Sequence, residues 1–201
     1  MLSFHAVEII LSTKINAEQT TRNPIEGRYL LNSLKEIKTL ESSIKSHDKS
    51  LYIEHLAFSG KVEPSAMFEV LKMIKFMPNI SLEIYGNYAN NGKDDKCLKN
   101  PGYVTLFETK FLALIEMTDS CAWHNIQYLS VPRLQHLYVN SANLNRKNFL
   151  IFFNFISRHK ATLETIVVSE SDVCDACNEV LGEIKLQEKG EINTYSNRII
   201  K

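Results

Sequence analysis

Short apolar groups with the spacing Leu-x-x-Leu-x-Leu recur along the chain about every 26 to 30 residues. Two copies stand out. Leu134, Leu137, Val139 and Leu144 form one, and Leu163, Ile166, Val168 and Val173 repeat it at a constant offset of 29. Ile53, Leu56 and Phe58 form an earlier copy, Leu82 and Ile84 with Asn87 the next, and Ile192 and Thr194 with Asn197 and Ile199 the last. The 55 residues from Ile84 to Val139 leave room for one more, assigned to Leu112, Ile115 and Met117 with Ser120 in the small polar position. Residues 103–117 also read as a single apolar helix, so this copy has two readings. A divergent first copy falls at Val7 and Ile9. Each group predicts a short strand with one buried face, because side chains alternate along a strand. A unit of this length cannot bury its apolar face alone, so neighbouring units must stack.

Between the strands the apolar period changes to that of a helix. Asn145 caps a helix over 146–158 that turns Phe149, Phe152, Phe153 and Ile156 inward. Pro64 suits the first turn of a helix carrying Met67, Val70, Leu71 and Ile74, which stops before Pro78. Val173, Cys177, Val180 and Ile184 predict a third helix, ended by Gly190. Asn23, Pro24 and Glu26 supply an N-cap, a first-turn proline and a capping-box carboxylate for a helix along Leu30, Leu34, Ile37 and Ile44. Strand and helix therefore alternate, as a parallel α/β architecture requires. A generic doubly wound sheet would alternate in the same way and stands as the competing topology.

The motif resembles the leucine-rich repeat, in its long, ribonuclease-inhibitor-like and F-box-associated forms. The resemblance covers about residues 51–201 and is carried best by Leu134–Leu144 and Leu163–Val173. Ile126–Val131 running through Pro132 into Leu134 resembles the irregular repeats of plant-type F-box proteins. The spacing varies more than the family's, and most of its asparagine positions hold other residues. The resemblance implies an α/β solenoid with a curved parallel sheet on the concave side and helices on the convex side. It also implies a single domain over 1–201, in which residues 1–50 are a divergent N-terminal repeat or helical cap and 86–102 a loop insertion.

Composition narrows the function. Lys plus Arg and Asp plus Glu number 23 each, so no bulk field exists to hold a polyanion, and nucleic-acid binding by phosphate neutralisation is not expected. The N-terminus lacks a basic start and Glu8 interrupts its apolar run, which argues against a signal peptide. No stretch approaches the roughly 18 apolar residues of a membrane span. A monomer in the cytoplasm or nucleus is expected, with its four cysteines reduced. Residues 86–102 are the one polar, turn-rich insertion, and their thin apolar content predicts a mobile loop.

Candidate chemistry is sparse. Cys174 and Cys177 have the spacing of a zinc half-site or a redox pair, and Cys121 with His124 repeats it. Stacking places these two pairs in repeats about 10 Å apart, too far for one zinc ion with ligands at about 2.3 Å. A structural pair without metal is the expectation, and no cofactor is implied. The segment from Cys177 through Asn178, Glu179, Val180 and Leu181 also resembles the opening of a RING finger. The 24 residues after Cys177 hold no Cys or His, so only a truncated remnant is expected. Neither His55 nor His136 has a nucleophile signature beside it, and Gly60-Lys61 lacks the rest of a phosphate loop. An enzyme, which would need a pocket lined by groups of perturbed acidity, is not expected.

In the strand frame the residues between the inward positions point off the opposite face. One column reads Ala57, Glu83, Glu116, Tyr138, Val167 and Asn193; the next reads Ser59, Tyr85, Thr118, Asn140, Ser169 and Tyr195. A third contains His55, Ser81, His136 and Thr165. Tyr85, Tyr138, His136 and Asn140, with Glu83 and His55 beside them, are the expected partner-binding residues, because exposed aromatics among polar groups suit an interface. The competing view is a solvated sheet whose aromatics cover one another. The expected function is a non-catalytic protein-interaction module or scaffold that holds a protein partner on the concave sheet. The alternative is the substrate-recognition part of a ubiquitin ligase, although residues 1–50 contain no recognisable F-box.

Overall fold

A computed structural model of the chain describes residues 27–46, 53–87, 97, 102–183 and 191–195; residues 182, 183 and 191–195 are described by backbone alone. Expectations placed on Val7, Ile9, Asn23 to Glu26, Ile184, Gly190, Asn197 and Ile199, and most of the 86–102 insertion, lie outside these residues.

The first part of the chain runs β1 (Arg28–Leu31), α1 (Leu34–Lys45), β2 (His55–Phe58), α2 (Pro64–Ile74), β3 (Ser81–Tyr85), β4 (Val104–Thr105) and β5 (Phe111–Ile115). It continues with α3 (Ser120–Ile126), β6 (Leu129–Ser130), β7 (His136–Asn140), β8 (Asn143–Leu144) and α4 (Arg146–His159). It closes with β9 (Thr165–Ser169), β10 (Asp172–Val173), α5 (Asp175–Glu183) and β11 (Glu191–Tyr195). Among the described residues seven strands form one sheet in the order β1-β2-β3-β5-β7-β9-β11. Every neighbouring pair is parallel. The short strands pair separately, β4 with β6 and β8 with β10. This is a mixed α/β fold with a parallel sheet whose strands lie side by side in chain order.

The alternation of side chains along each strand assigns one face to the core. Leu56, Leu82, Leu112, Leu137 and Ile166 sit opposite one another across the sheet, and Phe58, Ile84, Leu114, Val139 and Val168 form the next row. All ten are buried in one cluster with helix residues that include Ile37, Leu71, Trp123, Phe152 and Phe155. Helices therefore cover this face, as the burial of so many aliphatic residues demands.

Local sequence explains how the helices begin. Asn145 accepts from the backbone N–H groups of Lys147 and Asn148, both at 3.1 Å, and Asp119 caps α3 through Cys121 N–H at 2.7 Å. Pro64 opens α2, and Met67, Val70, Leu71 and Ile74 are buried from it. The indole N–H of Trp123 donates to Met117 O at 2.9 Å, and its ring meets Phe152 edge to face, joining α3 to α4.

Several expectations are corrected. Leu30 lies in β1, not in a helix; α1 starts after Ser33, whose capping box with Glu36 is the true signal. The first strand found is thus Arg28–Leu31. In the ambiguous copy the strand is 111–115 and its inward pair is Leu112 and Leu114; Ile115 turns to the opposite face, while Met117 lies beyond the strand and is buried in the core as expected. Phe111, Leu112, Ala113, Leu114 and Ile115 are all apolar, so alternation could not choose a face; pairing to β3 and β7 does. Phe153 is only half-buried, and Phe155 takes the fully buried place. Val180 is 36% exposed, and Leu181 faces inward instead. The four cysteines, expected as free thiols, are joined as Cys97–Cys121 and Cys174–Cys177.

Candidate functional site

Among the described residues, the opposite face of the sheet carries no helix residue in its apolar cluster, which consists of side chains from the strands themselves. Ala113, Ile115 and Tyr138 form its buried centre, and Tyr85, Phe111 and Val167 pack around them half-exposed. The register places Glu83, Ala113, Tyr138 and Val167 in one row across the sheet. Tyr85, Ile115, Asn140 and Ser169 form the next row, and Ser81, Phe111, His136 and Thr165 the preceding one. Ala113 and Ile115 thus occupy the positions expected of Glu116 and Thr118. The correction has a chemical consequence: the middle of this face is apolar, not acidic.

Two polar networks flank that centre. On the β2–β3 side, Glu83 bridges His55 Nε2 at 3.1 Å and the Tyr85 hydroxyl, which donates to it at 3.2 Å. Burial, then the Glu83 and Glu116 carboxylates, push the Tyr85 phenol well above its ordinary value, so it remains a donor at all physiological pH. On the β7–β9 side, Tyr138 Oη and Asn140 Nδ2 both bond Ser169 Oγ, at 2.9 and 2.8 Å. Ser141 Oγ donates to Asn140 Oδ1 at 2.8 Å. Tyr138, expected to be an exposed anchor, is only 7% exposed; its ring fills the centre of the cluster. His136 lies half-exposed beside Phe111 in the register. The face therefore brings His55, Glu83 and Tyr85 together in one network and Tyr138 and Asn140 in another.

Beyond the strands, Glu116, Ser141 and Glu170 share one register position, each with a left-handed backbone at φ 51, 51 and 50°. The chain bends there away from the sheet, and Glu116 accepts a hydrogen bond from Asn87 Nδ2. At the same position after β3 stands Gly86, where an added Cβ would meet Met117 Sδ at 2.5 Å and Ala122 Cβ at 2.8 Å. Only glycine permits that approach.

Sequence reasoning missed Phe111, Ala113 and Ile115. No local spacing separated them, because Ile115 with Met117 has the same two-residue spacing as Leu112 with Leu114 and as Leu82 with Ile84. For catalysis the face offers a carboxylate-bound histidine, and the hydroxyl that shares that carboxylate is the Tyr85 phenol, held in its protonated form. Among the described residues, no three His, Cys, Asp or Glu side chains converge as a metal set. His124, paired on paper with the cysteines, bonds Gln127 instead. No described helix is long and apolar enough to cross a membrane.

Comparison of the chain with protein-family models, with characterised proteins and with solved structures returns no match.

Proposed function

We propose that the chain is a divergent leucine-rich-repeat solenoid and that it works as a non-catalytic protein-interaction module, with the sheet face opposite the helical core as its docking surface. The sequential, all-parallel strand order supports the repeat reading. So does the recurrence of one main-chain pattern at the strand starts: Gly27 O, Lys110 O and Gln135 O each accept from two consecutive N–H groups of the next strand's lead-in. Each unit contacts its neighbours through the same geometry, as stacked repeats do.

The observation that carries the functional reading is the apolar centre of Tyr85, Phe111, Ala113, Ile115, Tyr138 and Val167 between two polar networks. Parallel sheets are ordinarily covered on both faces. A face that the described helices leave to the strands, with an apolar middle and a hydrogen-bonded rim, has the anatomy of an interface. The ubiquitin-ligase reading gains no support from Cys174 and Cys177, which are joined as a disulfide.

The test begins with affinity capture from the source cell and mass spectrometry to identify a partner. Its affinity is then measured for Phe111→Ala, Tyr85→Ala and the helix control Lys147→Ala. Loss of about 2 kcal/mol or more at the sheet positions alone marks them as hot spots. Equal and negligible effects at all three move the binding surface off the sheet.

A further inference from the structure

We propose that Cys174–Cys177 is a thiol–disulfide exchange site, in which Cys174 is the sulfur that an incoming thiol attacks and Cys177 the sulfur that leaves. The bridge spans a sequence separation of 3 with its Cα atoms 5.1 Å apart. Cys174 immediately precedes α5, and its carbonyl oxygen accepts from Cys177 N–H at 2.8 Å and Asn178 N–H at 3.0 Å, so it begins the helix. The two sulfurs belong to unequal surroundings. Cys174 is half-buried at the edge of the core, whereas Cys177 is 3% exposed and packed within it. One sulfur is open to attack, and the other stays close enough to close the bridge again.

The position also favours the reduced form electrostatically. Unpaired N–H groups at a helix start stabilise a thiolate, which makes a bridge there more readily reduced. Asp175 acts against this from the first turn, so the Cys174 thiolate keeps more of its nucleophilicity. The Cys97–Cys121 bridge contrasts with it, because it spans 24 residues and closes a far larger loop. A larger loop constrains the unfolded chain more, whereas the short bridge holds together only one turn. Opening Cys174–Cys177 therefore leaves the sheet and its helices in place.

The chemistry balances without any additional reagent. The thiolate of the incoming thiol attacks Cys174 Sγ; the Cys174–Cys177 bond breaks, and its electron pair leaves on Cys177 Sγ, which takes up the proton. A second thiol attacks the incoming sulfur of the mixed disulfide and expels Cys174 as thiolate, which is protonated in turn. Two thiols are oxidised to one disulfide, and the protein bridge is reduced to two thiols.

The test uses the full chain and glutathione. In mixtures of reduced and oxidised glutathione, quenched by alkylation and read by mass spectrometry, Cys174–Cys177 is expected to open at least tenfold faster than Cys97–Cys121. Circular dichroism should not change as it opens. In Cys177→Ser the glutathione adduct should accumulate on Cys174; in Cys174→Ser, Cys177 should resist it. Two results overturn the proposal. One is a short bridge that opens only when the chain unfolds, and the other is an adduct that forms as fast on Cys177 as on Cys174. If either variant fails to fold, the rates of the two bridges in the natural chain still decide.

Discussion

Two hydrogen bonds fix the imidazole of His159. Its Nδ1 donates to Phe155 O at 2.7 Å, and its Nε2 accepts from Val131 N–H at 2.9 Å, which ties α4 to the segment leading into β7. The ring is buried, and it must be neutral to accept from Val131. Burial is the main reason its pKa falls below the ordinary imidazole value, with the Phe155 bond opposing the shift and Arg158 adding to it. The folded protein thus binds this proton less readily than the unfolded chain does. Its stabilising contribution is complete above the unfolded value of about 6.5 and is lost as pH falls through the lower folded value. His159→Gln should destabilise the protein at pH 7.5, by about 1–3 kcal/mol if Val131 N–H is left unpaired. The difference from the natural chain should narrow towards pH 5 in urea titrations. A difference that is constant with pH would show that folding leaves the histidine's pKa unchanged, and one that widens towards pH 5 would show that the ring is protonated in the fold. The Tyr85 phenol behaves oppositely, since its neighbours keep it protonated, and binding through this face should not change between pH 6 and 9 on its account.

Among the elements, α4 shows best how pattern and packing divide the work. Its start was legible, because Asn145 is a strong cap and satisfies two of the free N–H groups at the helix terminus. Asn145→Ala should cost about 1 kcal/mol, measured by chemical denaturation. Its buried face was legible only in part. Phe149, Phe152 and Ile156 follow the helical period, but Phe153 and Phe155 flank the stripe, and the sequence cannot say which of them meets the sheet. The neighbouring α3 decides it, since Trp123 packs on Phe152 and leaves Phe153 at the margin. Phe155→Ala should therefore cost roughly 3–5 kcal/mol, and Phe153→Ala clearly less. Equal losses would mean that the helix is rotated from the position described. In α3, the Cys97–Cys121 bridge ties residue 97 of the insertion to the first helical turn. Replacing both with serine should lower stability by about 3 kcal/mol on the loop-entropy estimate, with the sheet otherwise retained.

The parallel sheet is the feature that the chain's repetition foretold most fully. Strands at 55–58, 81–85, 136–140 and 165–169 fall where the apolar spacing put them, and they adjoin in chain order with a fifth strand between the second and the third. That much follows from local information, since a motif repeated at nearly constant offset exposes the same apolar pair in every unit and obliges the units to stack. The face that points away from the helices was legible for the same reason: its columns interleave with the core positions. His55, Glu83, Tyr85, Tyr138 and Asn140 were found in this way, although nothing local indicated that Glu83 would join His55 to Tyr85 across 28 residues of chain. The centre of the face was not legible. In Phe111–Ile115 five apolar residues in succession satisfy either face, and a one-residue shift exchanges the core and surface sets. Only hydrogen bonding to β3 and β7 on either side selects Leu112 and Leu114 for the interior and turns Phe111, Ala113 and Ile115 outward. Pairings between sulfurs are of the same kind, because Cys97 and Cys121 meet through the path of an insertion that no periodicity describes. Periodic apolar spacing thus determined strand order and the outward columns, since these depend on neighbours along the chain. Register within a uniformly apolar strand, the depth of Tyr138 and the cysteine partners depend on neighbours across the sheet, and they were decided only when the units came together.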